Sequence, residues 1–448
     1  MWRSPFEYFT DAVLRGPTLG CMLMCFAASL VGVVVFLRKE SLLGESLSHA
    51  AYPGIILGVL VASSLIGDMP SEAGLATIIL CGAFITSFLG LRTISWLEDR
   101  YRLRSDSALT LVLACFMGIG LTIASKIQFT HTALYRQAQN YLFGQAATMT
   151  DRHVIMYGIL SLATAAVIFI FYKELKTITF DRGFAKAIGL RVTLIDYLVF
   201  ILTVFVVVLG LRSVGVVLMS AMFIAPPVTA RQFTNRFSIM LLFAGFVGLL
   251  GGFLGNYLSV EVSEWLEKEY LNQRLALPTG PMIIIVTSSL CLLSLLLAPQ
   301  RGLLSRIWRR ASFRYRCICE NVLKSIWRSG PRNAMSFEQV AKYQHISSFY
   351  LYFVMTRLRL GGWIVKLKNG LYRLTKDGRH RAARIVRLHR LWEVYLADQL
   401  GLGIERIHRN AEEMEHILTP EIEEQLILLL QDPKQDPHHQ PIPPRQYL

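Results

Sequence analysis

Charge is what this sequence has least of. Asp, Glu, Lys and Arg make up only 17% of its 448 residues, against roughly a quarter in an ordinary soluble domain, so a water-soluble globular enzyme is excluded as a description of the whole chain. Cysteine is scarce as well. Of seven, Cys21, Cys25, Cys81, Cys115 and Cys291 lie in apolar runs and only the close pair Cys317 and Cys319 lies outside them, so a disulfide framework does not organise the fold. No Gly-x-x-x-x-Gly-Lys-Ser/Thr string occurs; nothing cradles ATP phosphates in the P-loop manner, and ATP energy has to come from a separate subunit. Nucleophile, base and orienting group form no constellation, and no enzyme chemistry is assigned to the chain.

What the sequence does have is apolar length. Hydrophobic residues make up 53% of it, and stretches near the length that crosses about 30 Å of hydrocarbon recur at 17–37, 42–66, 72–91, 108–125, 154–172, 194–211, 214–230, 238–259 and 281–298. An all-α polytopic membrane protein of about nine transmembrane helices is expected over residues 1–300, its seventh segment short and interrupted by Pro226 and Pro227. Basic loops favour the cytoplasmic side. With nine spans and an external N-terminus, Arg38-Lys39, Arg92 to Arg104, Lys173 to Arg191, Arg231 to Arg236 and everything after Arg301 fall on that side. The acidic segments 67–72 and 260–280 fall opposite, and the C-terminal tail is cytoplasmic.

The net charge of +15 is unevenly spread. Residues 1–300 hold 21 of the 46 basic and 17 of the 31 acidic residues, a net of +4, which leaves +11 for residues 301–448. Within that tail, residues 301–390 carry 21 basic and three acidic residues, and residues 391–448 carry four and eleven. A half suited to a polyanion is followed by a half suited to cations. The boundaries expected are a membrane domain over 1–300, a linker at 301–312, and two tail regions at 313–378 and 379–448.

Two features of the membrane part carry chemistry. Glu45 and His49 open the second apolar segment four residues apart, on one helix face. Ionisable groups inside a bilayer are costly unless they face a protein interior or a pathway, and carboxylate with imidazole suits a divalent transition metal; a polar helix end at the interface is the plainer alternative. The loop from Phe180 to Leu190 reads as a short amphipathic helix with Asp181 as N-cap and Gly189 at its end, suited to docking a cytoplasmic partner or to lying on the membrane surface.

Ser48-His49-Ala50 with Pro53-Gly54, then Asp181, Ala185 and Gly189-Leu190, then Gly215 to Leu218, Ala225-Pro226 and Ala230-Arg231 resemble the permease subunit of the zinc, manganese and iron ABC importers, the ABC-3 family, over about residues 10 to 298. The resemblance implies that Glu45 and His49 match the family's metal-path Asp and His. It implies further that Asp181, Arg182, Ala185 and Gly189 belong to the helix that contacts the ATPase, and that ATP powers import across a bacterial inner membrane. The partners it implies are an ABC ATPase subunit, a periplasmic metal-binding protein, and a second permease or a second copy of this chain. A secondary transporter driven by an ion gradient, built on interrupted helices, is the alternative.

In the tail, helices are expected at about Phe313 to Ser329, ended by Gly330-Pro331, from Ser336 to about Tyr343, and from Ser348 to Leu360, ended by Gly361-Gly362. Alternating residues around Asn369-Gly370 then signal a two-stranded wing. This is the order of a winged helix-turn-helix. Ser348, Tyr350, Tyr352 and Arg357 on the third helix face the DNA groove, and Lys366, Lys368 and Arg373 on the wing face phosphates. A basic domain that only binds anionic lipid is the competing reading. Downstream, His408, Glu412, Glu415 and His416 share one side of a helix, and His389 and Glu393 lie four apart on another. Imidazole and carboxylate at this density fit a metal such as Mn, Fe or Zn.

Leu388-His389-Arg390-Leu391-Trp392-Glu393, His408 to Leu418, and Asp436 to Pro443 resemble the metal-dependent repressors of the diphtheria-toxin-repressor and manganese-repressor family. By that match Glu412, Glu415 and His416 form a primary site, completed by Cys317 or Glu320 from the first helix, while His389, Glu393 and His408 form a second. A homodimer on operator DNA is implied, with Fe2+, Mn2+ or Zn2+ both cargo and co-repressor. Both resemblances in one chain give a permease fused to a repressor, with proteolytic release of the tail expected near Arg301 to Arg316. The alternative is a membrane-tethered sensor with little transport.

Overall fold

The computed structural model describes all residues except 1, 67–71, 131–134, 136–138, 140, 143, 145, 212–214, 269–276, 330–333, 345, 402 and 445–448. The chain forms two compact units, residues 1–305 and 306–448.

Among the described residues, the regular structure of the first unit is helical. A turn, α1 (Glu7–Thr10), precedes α2 (Ala12–Leu37), α3 (Leu43–Ile66), α4 (Glu72–Tyr101), α5 (Ser105–Thr130), α6 (Asp151–Ile170), α7 (Tyr172–Phe180), α8 (Arg182–Ala187), α9 (Val192–Gly210), α10 (Val216–Phe233), α11 (Phe237–Leu266) and α12 (Thr279–Leu297). All nine expected apolar segments are helices. Among the described residues, eight are long and apolar enough to cross a membrane; the ninth is α10, whose 18 residues span about 27 Å at 1.5 Å per residue. The protein is a multi-pass membrane protein.

Helices in lipid gain little from apolar burial against one another, so close backbone approach matters more. A Cβ on Gly248 of α11 would lie 2.1 Å from Ser29 Oγ of α2, and one on Gly252 would lie 2.8 Å from the Cys21 carbonyl oxygen. The tightest crossing joins α3 to α4: a Cβ on Gly54 would meet Gly82 O at 2.1 Å, and one on Gly82 would meet Gly54 O at 2.4 Å. Because the obstacle is backbone on both sides, no rotamer relieves it. Gly54→Val should cost at least the ~3 kcal/mol at the upper end of ordinary overpacking. Loss of the monodisperse peak in size-exclusion chromatography of detergent-extracted chain is the expected result, and a wild-type elution profile would refute it.

Two expected loops are helix instead. Residues 92–101 continue α4 to Tyr101, because no Gly or Pro follows Leu91 to stop it. The acidic segment 260–280 begins inside α11: Glu261 is buried, accepts from the Tyr8 hydroxyl at 2.8 Å and from Arg3 N at 3.1 Å, and so ties down the N-terminal segment. The acidic stretch 67–71 and residues 269–276 lie outside the described residues.

The second unit has the winged-helix order: α13 (Leu303–Arg328), α14 (Phe337–Gln344), α15 (Ser348–Leu360), β1 (Ile364–Lys366) and β2 (Tyr372–Leu374), followed by α16 (Lys376–Asp398), α17 (Ile404–Met414) and α18 (Pro420–Leu429). The expected linker 301–312 is largely the start of α13, since residues 303–312 hold no helix breaker and extend its amphipathic pattern. The stop at Gly330-Pro331 lies outside the described residues, and the helix ends at Arg328. Ser336 and Gln339 cap α14 reciprocally, Ser336 Oγ accepting from Gln339 N at 3.2 Å and Gln339 Oε1 from Ser336 N at 2.8 Å, which is a capping box. α15 spans the residues expected of the third helix.

The hairpin is present but its turn is displaced by one residue. Gly370 N donates to Leu367 O at 3.0 Å, so Lys368 and Asn369 are the central residues, and Gly370 with φ 79° takes the left-handed position that follows a three-residue hairpin loop. Ile364, Tyr372 and Leu374 face inward onto Val322, Leu323, Leu351 and Leu358.

Candidate metal centres, docking helix and nucleic-acid surface

Three helices of the second unit bring the candidate ligands together. α16 carries His389 and Glu393 one turn apart on its buried side, α17 carries His408 and Glu412 and runs into Glu415 and His416, and α13 brings Glu320. His389 Nε2 lies 3.1 Å from Glu393 Oε1 and 3.2 Å from His408 Nδ1, and His408 Nδ1 lies 2.8 Å from the same Glu393 oxygen. The ligand atoms of these three side chains fall within 4.8 Å of one another, compact enough for one ion to accept them all with small adjustments. The other face of the His389 ring is also engaged, since Nδ1 makes a short hydrogen bond to Glu415 Oε2. His389 therefore joins the two expected sites.

The cluster around Glu415 and His416 includes one of the two expected first-helix residues. Glu320, not Cys317, makes the contact from α13: its Oε2 lies 2.7 Å from His416 Nδ1. His416 Nε2, on the far side of the ring, is buried without a hydrogen-bond partner and lies 3.6 Å from Glu415 Oε1. An orphaned imidazole nitrogen facing a carboxylate fits a metal ion between them, with Glu320 fixing the ring through its other nitrogen. Glu412 is half exposed, 3.7 Å from His408 Nε2. Glu415, whose side chain is 0% exposed, accepts from Lys324 Nζ at 2.7 and 2.9 Å.

The electrostatics follow from burial and these contacts. Burial pushes the Glu393 carboxyl up, but hydrogen bonds from His389 and His408 outweigh it and hold the group down at about 2. Glu415 is likewise held below its usual range, the His389 hydrogen bond and the Lys324 charge overcoming burial. For His389 burial acts downward, and Glu393 and Glu415 together raise it. Burial pulls the Lys324 ammonium below the usual lysine range despite Glu415. Both carboxylates thus stay ionised at neutral pH, as metal ligands must be.

Two residues escaped the sequence reading. Lys324 shares a helix face with Glu320, four residues earlier, and a lysine set among Val322, Leu323 and Ile326 was the available signal. His438 comes from the C-terminal strap, its Nε2 4.0 Å from Glu393 Oε1. The strap is fastened to the ligand helix itself: Asp436 Oδ2 lies 3.3 Å from Arg390 Nε, Arg387 donates to Pro443 O at 2.8 Å, and Arg390 donates to Pro441 O. No spacing pattern reveals a ligand that reaches its site across so many residues.

In the membrane unit, Glu45 and His49 lie on α3. His49 Nδ1 is buried without a hydrogen-bond partner, and Pro53, four residues on, has no N–H to offer the His49 carbonyl. One turn of α3 therefore presents a carboxylate, a free imidazole nitrogen and a released carbonyl oxygen. The short helix is also present: Asp181 Oδ1 caps it by accepting from Phe184 N at 2.9 Å, Ala185 is buried, Phe184 and Ile188 are exposed, and Gly189 with φ 81° ends it. Arg182 pairs with Asp196, which also holds the buried Arg38 at the end of α2 at 2.8 Å. Asp196 and Arg38 are a further pair that the sequence did not signal.

On the winged domain Ser348, Tyr352, Arg357, Lys366, Lys368 and Arg373 are exposed, while Tyr350 is half-buried and stacks on Phe353. Tyr350 is thus turned partly into the core and away from the surface expected of it.

The architecture is that of a polytopic permease domain followed by an iron-dependent repressor domain. Residues 10–298 match the ABC 3 transport family, and residues 375–444 match the iron dependent repressor, metal binding and dimerisation domain. The chain belongs to the ABC 3 transport family. It is 35% identical over 444 residues to the "Probable metal transport system membrane protein" of Chlamydia trachomatis, covering 98% of this chain and 97% of that protein. To the manganese transport system membrane protein MntC of Bacillus subtilis it is 31% identical over 386 residues, 86% of this chain and 84% of that protein. Among solved structures, PsaBC from Streptococcus pneumoniae in complex with Fab shares the fold, with a TM-score of 0.53 at 24% identity over 66% of this chain and 96% of that one.

Proposed function

We propose that this chain is the permease subunit of an ATP-driven importer of a divalent first-row ion, Fe2+, Mn2+ or Zn2+, and that residues 313–448 act as a repressor responding to the same ion. The observation that carries this reading is the His389, Glu393 and His408 cluster, its first two members buried, in a winged-helix unit on the same chain as a membrane permease. The domain boundaries proposed are 1–300 for the permease, 313–378 for DNA binding and 379–448 for metal binding and dimerisation. A reading of nine spans, α10 included, with the basic loops facing inward supports a cytoplasmic tail on an inner-membrane protein.

Cargo delivered by a periplasmic binding protein passes Glu45 and His49 while an ATPase docks on the Phe184 and Ile188 face of the 181–190 helix, against a second permease subunit. In the cytoplasm the ion takes His389, Glu393 and His408, with His438 as a further donor, and the Glu412, Glu415 and His416 centre. A state favoured by the ion is the one that binds operator DNA as a homodimer. Uptake then limits itself.

Full-length chain in detergent should retain operator DNA with metal and release it on chelation. Each phosphate contact contributes about 0.9 to the slope of log K against log salt. Lys366→Ala, Lys368→Ala and Arg373→Ala combined should lower that slope by about three per protomer and weaken binding to all sequences alike. An unchanged slope would remove the wing from the DNA.

Two anchored copies reach one operator with difficulty, so we place proteolytic release at Arg301 to Arg316, a basic stretch that lies mostly on the exposed start of α13. An immunoblot against the C-terminus should show a fragment of about the tail's size. Full-length chain alone, in both metal-replete and metal-starved cells, would rule release out.

A further inference from the structure

Lys324 stands where a metal ion's charge belongs. Its Nζ lies 2.7 and 2.9 Å from the two oxygens of Glu415, 3.2 Å from His389 Nδ1 and 3.9 Å from Glu412 Oε1. The Lys324 side chain is 5% exposed and that of Glu415 is 0% exposed. Two carboxylates and an imidazole are a donor set for a divalent cation, and here they surround an ammonium. His416 Nε2, 3.6 Å from Glu415 Oε1, is buried without a hydrogen-bond partner.

We propose that Lys324 is the resident cation of the Glu415 centre, an ammonium that a divalent ion must expel before Glu415, Glu412 and His416 can serve as its ligands. This rests on the reading that the C-terminal unit binds metal. A dication within coordination distance of Glu415 and an ammonium at 2.7 Å from the same group repel strongly where water is excluded. The lysine has somewhere to go. Its four-carbon stem is flexible, and Glu320 lies one turn earlier on α13, the favourable order for a Glu and Lys pair. Glu320 spends Oε2 on His416, while its Oε1 lies 3.8 Å from Arg381.

The exchange keeps Glu415 paired with a cation throughout. Without the ion, the buried Glu415 is neutralised by Lys324; with it, the ion neutralises Glu415 and Lys324 moves to Glu320. Lys324 lies on the first helix of the winged domain, between Val322, Leu323 and Ile326 of its core. Expulsion therefore acts on the element that supports α15 and the wing, and the cost of expulsion sets the ion concentration at which the centre fills. Lys324 is a positioning residue in this account, with no contact to DNA.

The test uses full-length chain in detergent with Mn2+ as the probe. In wild type, an amine-acylating reagent followed by mass spectrometry should leave Lys324 unmodified without metal and label it once Mn2+ is added. Lys324→Met, which keeps volume and removes charge, should bind Mn2+ at the Glu415 centre at least 10-fold more tightly and show a larger Mn2+-induced rise in Tm, because its metal-free form leaves the buried Glu415 carboxylate with His389 as its close partner and no ammonium. Lys324→Arg should bind no more tightly than wild type. The proposal is overturned if Lys324 stays equally protected with and without Mn2+, or if folded Lys324→Met binds Mn2+ with wild-type affinity. If Lys324→Met does not fold, labelling of the wild type decides alone. Absence of Mn2+, Fe2+ and Zn2+ binding to the wild type by equilibrium dialysis would instead remove the metal-sensing reading on which this one stands.

Discussion

Replacing Glu45 and His49 together by alanine should reduce metal uptake at least 100-fold, to the background of cells lacking the permease, while the chain still reaches the membrane in wild-type amount. The expectation comes from the cost of keeping these groups in α3. Glu45 lies in the first turn of α3 and His49 one turn further in, and an unpartnered buried polar group costs about 1–3 kcal/mol. His49 Nδ1 has no partner, and Pro53 removes the donor for its carbonyl. A structural role would satisfy these atoms; a path for a cation leaves them free. Uptake of radiolabelled Mn2+ or Zn2+ by cells co-expressing the partner ATPase gives the measurement. Equal uptake by wild type and double variant would end the transport role of the pair.

The same α3 helix shows where sequence reading succeeds and where it stops. Its apolar run, its Glu45 and His49 spacing and its proline are local, so periodicity and hydropathy expose them. The third helix of the winged domain, bounded by Ser347 and Gly361, was legible because both ends carry local chemistry, a side-chain cap at Tyr350 N and a glycine stop. Helix ends that lack such punctuation were misjudged: α4 runs on to Tyr101 and α13 starts at Leu303, since a hydropathy window ends where charge begins and a helix does not. The ligand-bearing residues were legible as types and spacings, but their partners were not. Lys324 meets Glu415 across 91 positions and Glu320 meets His416 across 96, and only the packing of α13 against the His and Glu helices decides which first-helix residue arrives. Cys317 and Glu320 fit that position equally well from sequence; in the structure Glu320 is the one hydrogen-bonded to His416.

His389→Ala should abolish the metal response of DNA binding, with at least a 100-fold loss of metal-dependent affinity, where His408→Ala and His438→Ala weaken the response by about 10-fold. The difference lies in what each ring touches. His408 lies against His389 and Glu393 with Glu412 at 3.7 Å beyond it, and His438 approaches Glu393; neither ring contacts Glu415, so their loss strips donors from the Glu393 centre. His389 uses both nitrogens: Nε2 faces Glu393 and His408, and Nδ1 faces Glu415. Its removal takes a donor from the first centre and leaves Glu415, fully buried, with Lys324 as its remaining close partner. Loss of one member of a buried charged network costs about 3–5 kcal/mol, so the metal-free variant should also unfold at lower temperature than either single-centre variant. Metal content by elemental analysis should fall by both centres in His389→Ala and by one in His408→Ala, and DNA binding should be titrated with metal for each. If His389→Ala retains one bound ion and a wild-type midpoint for DNA, the two centres are independent and His389 serves only the Glu393 side. If it loses both, the short path from Glu393 through one imidazole to Glu415 is the physical link by which filling one centre prepares the other.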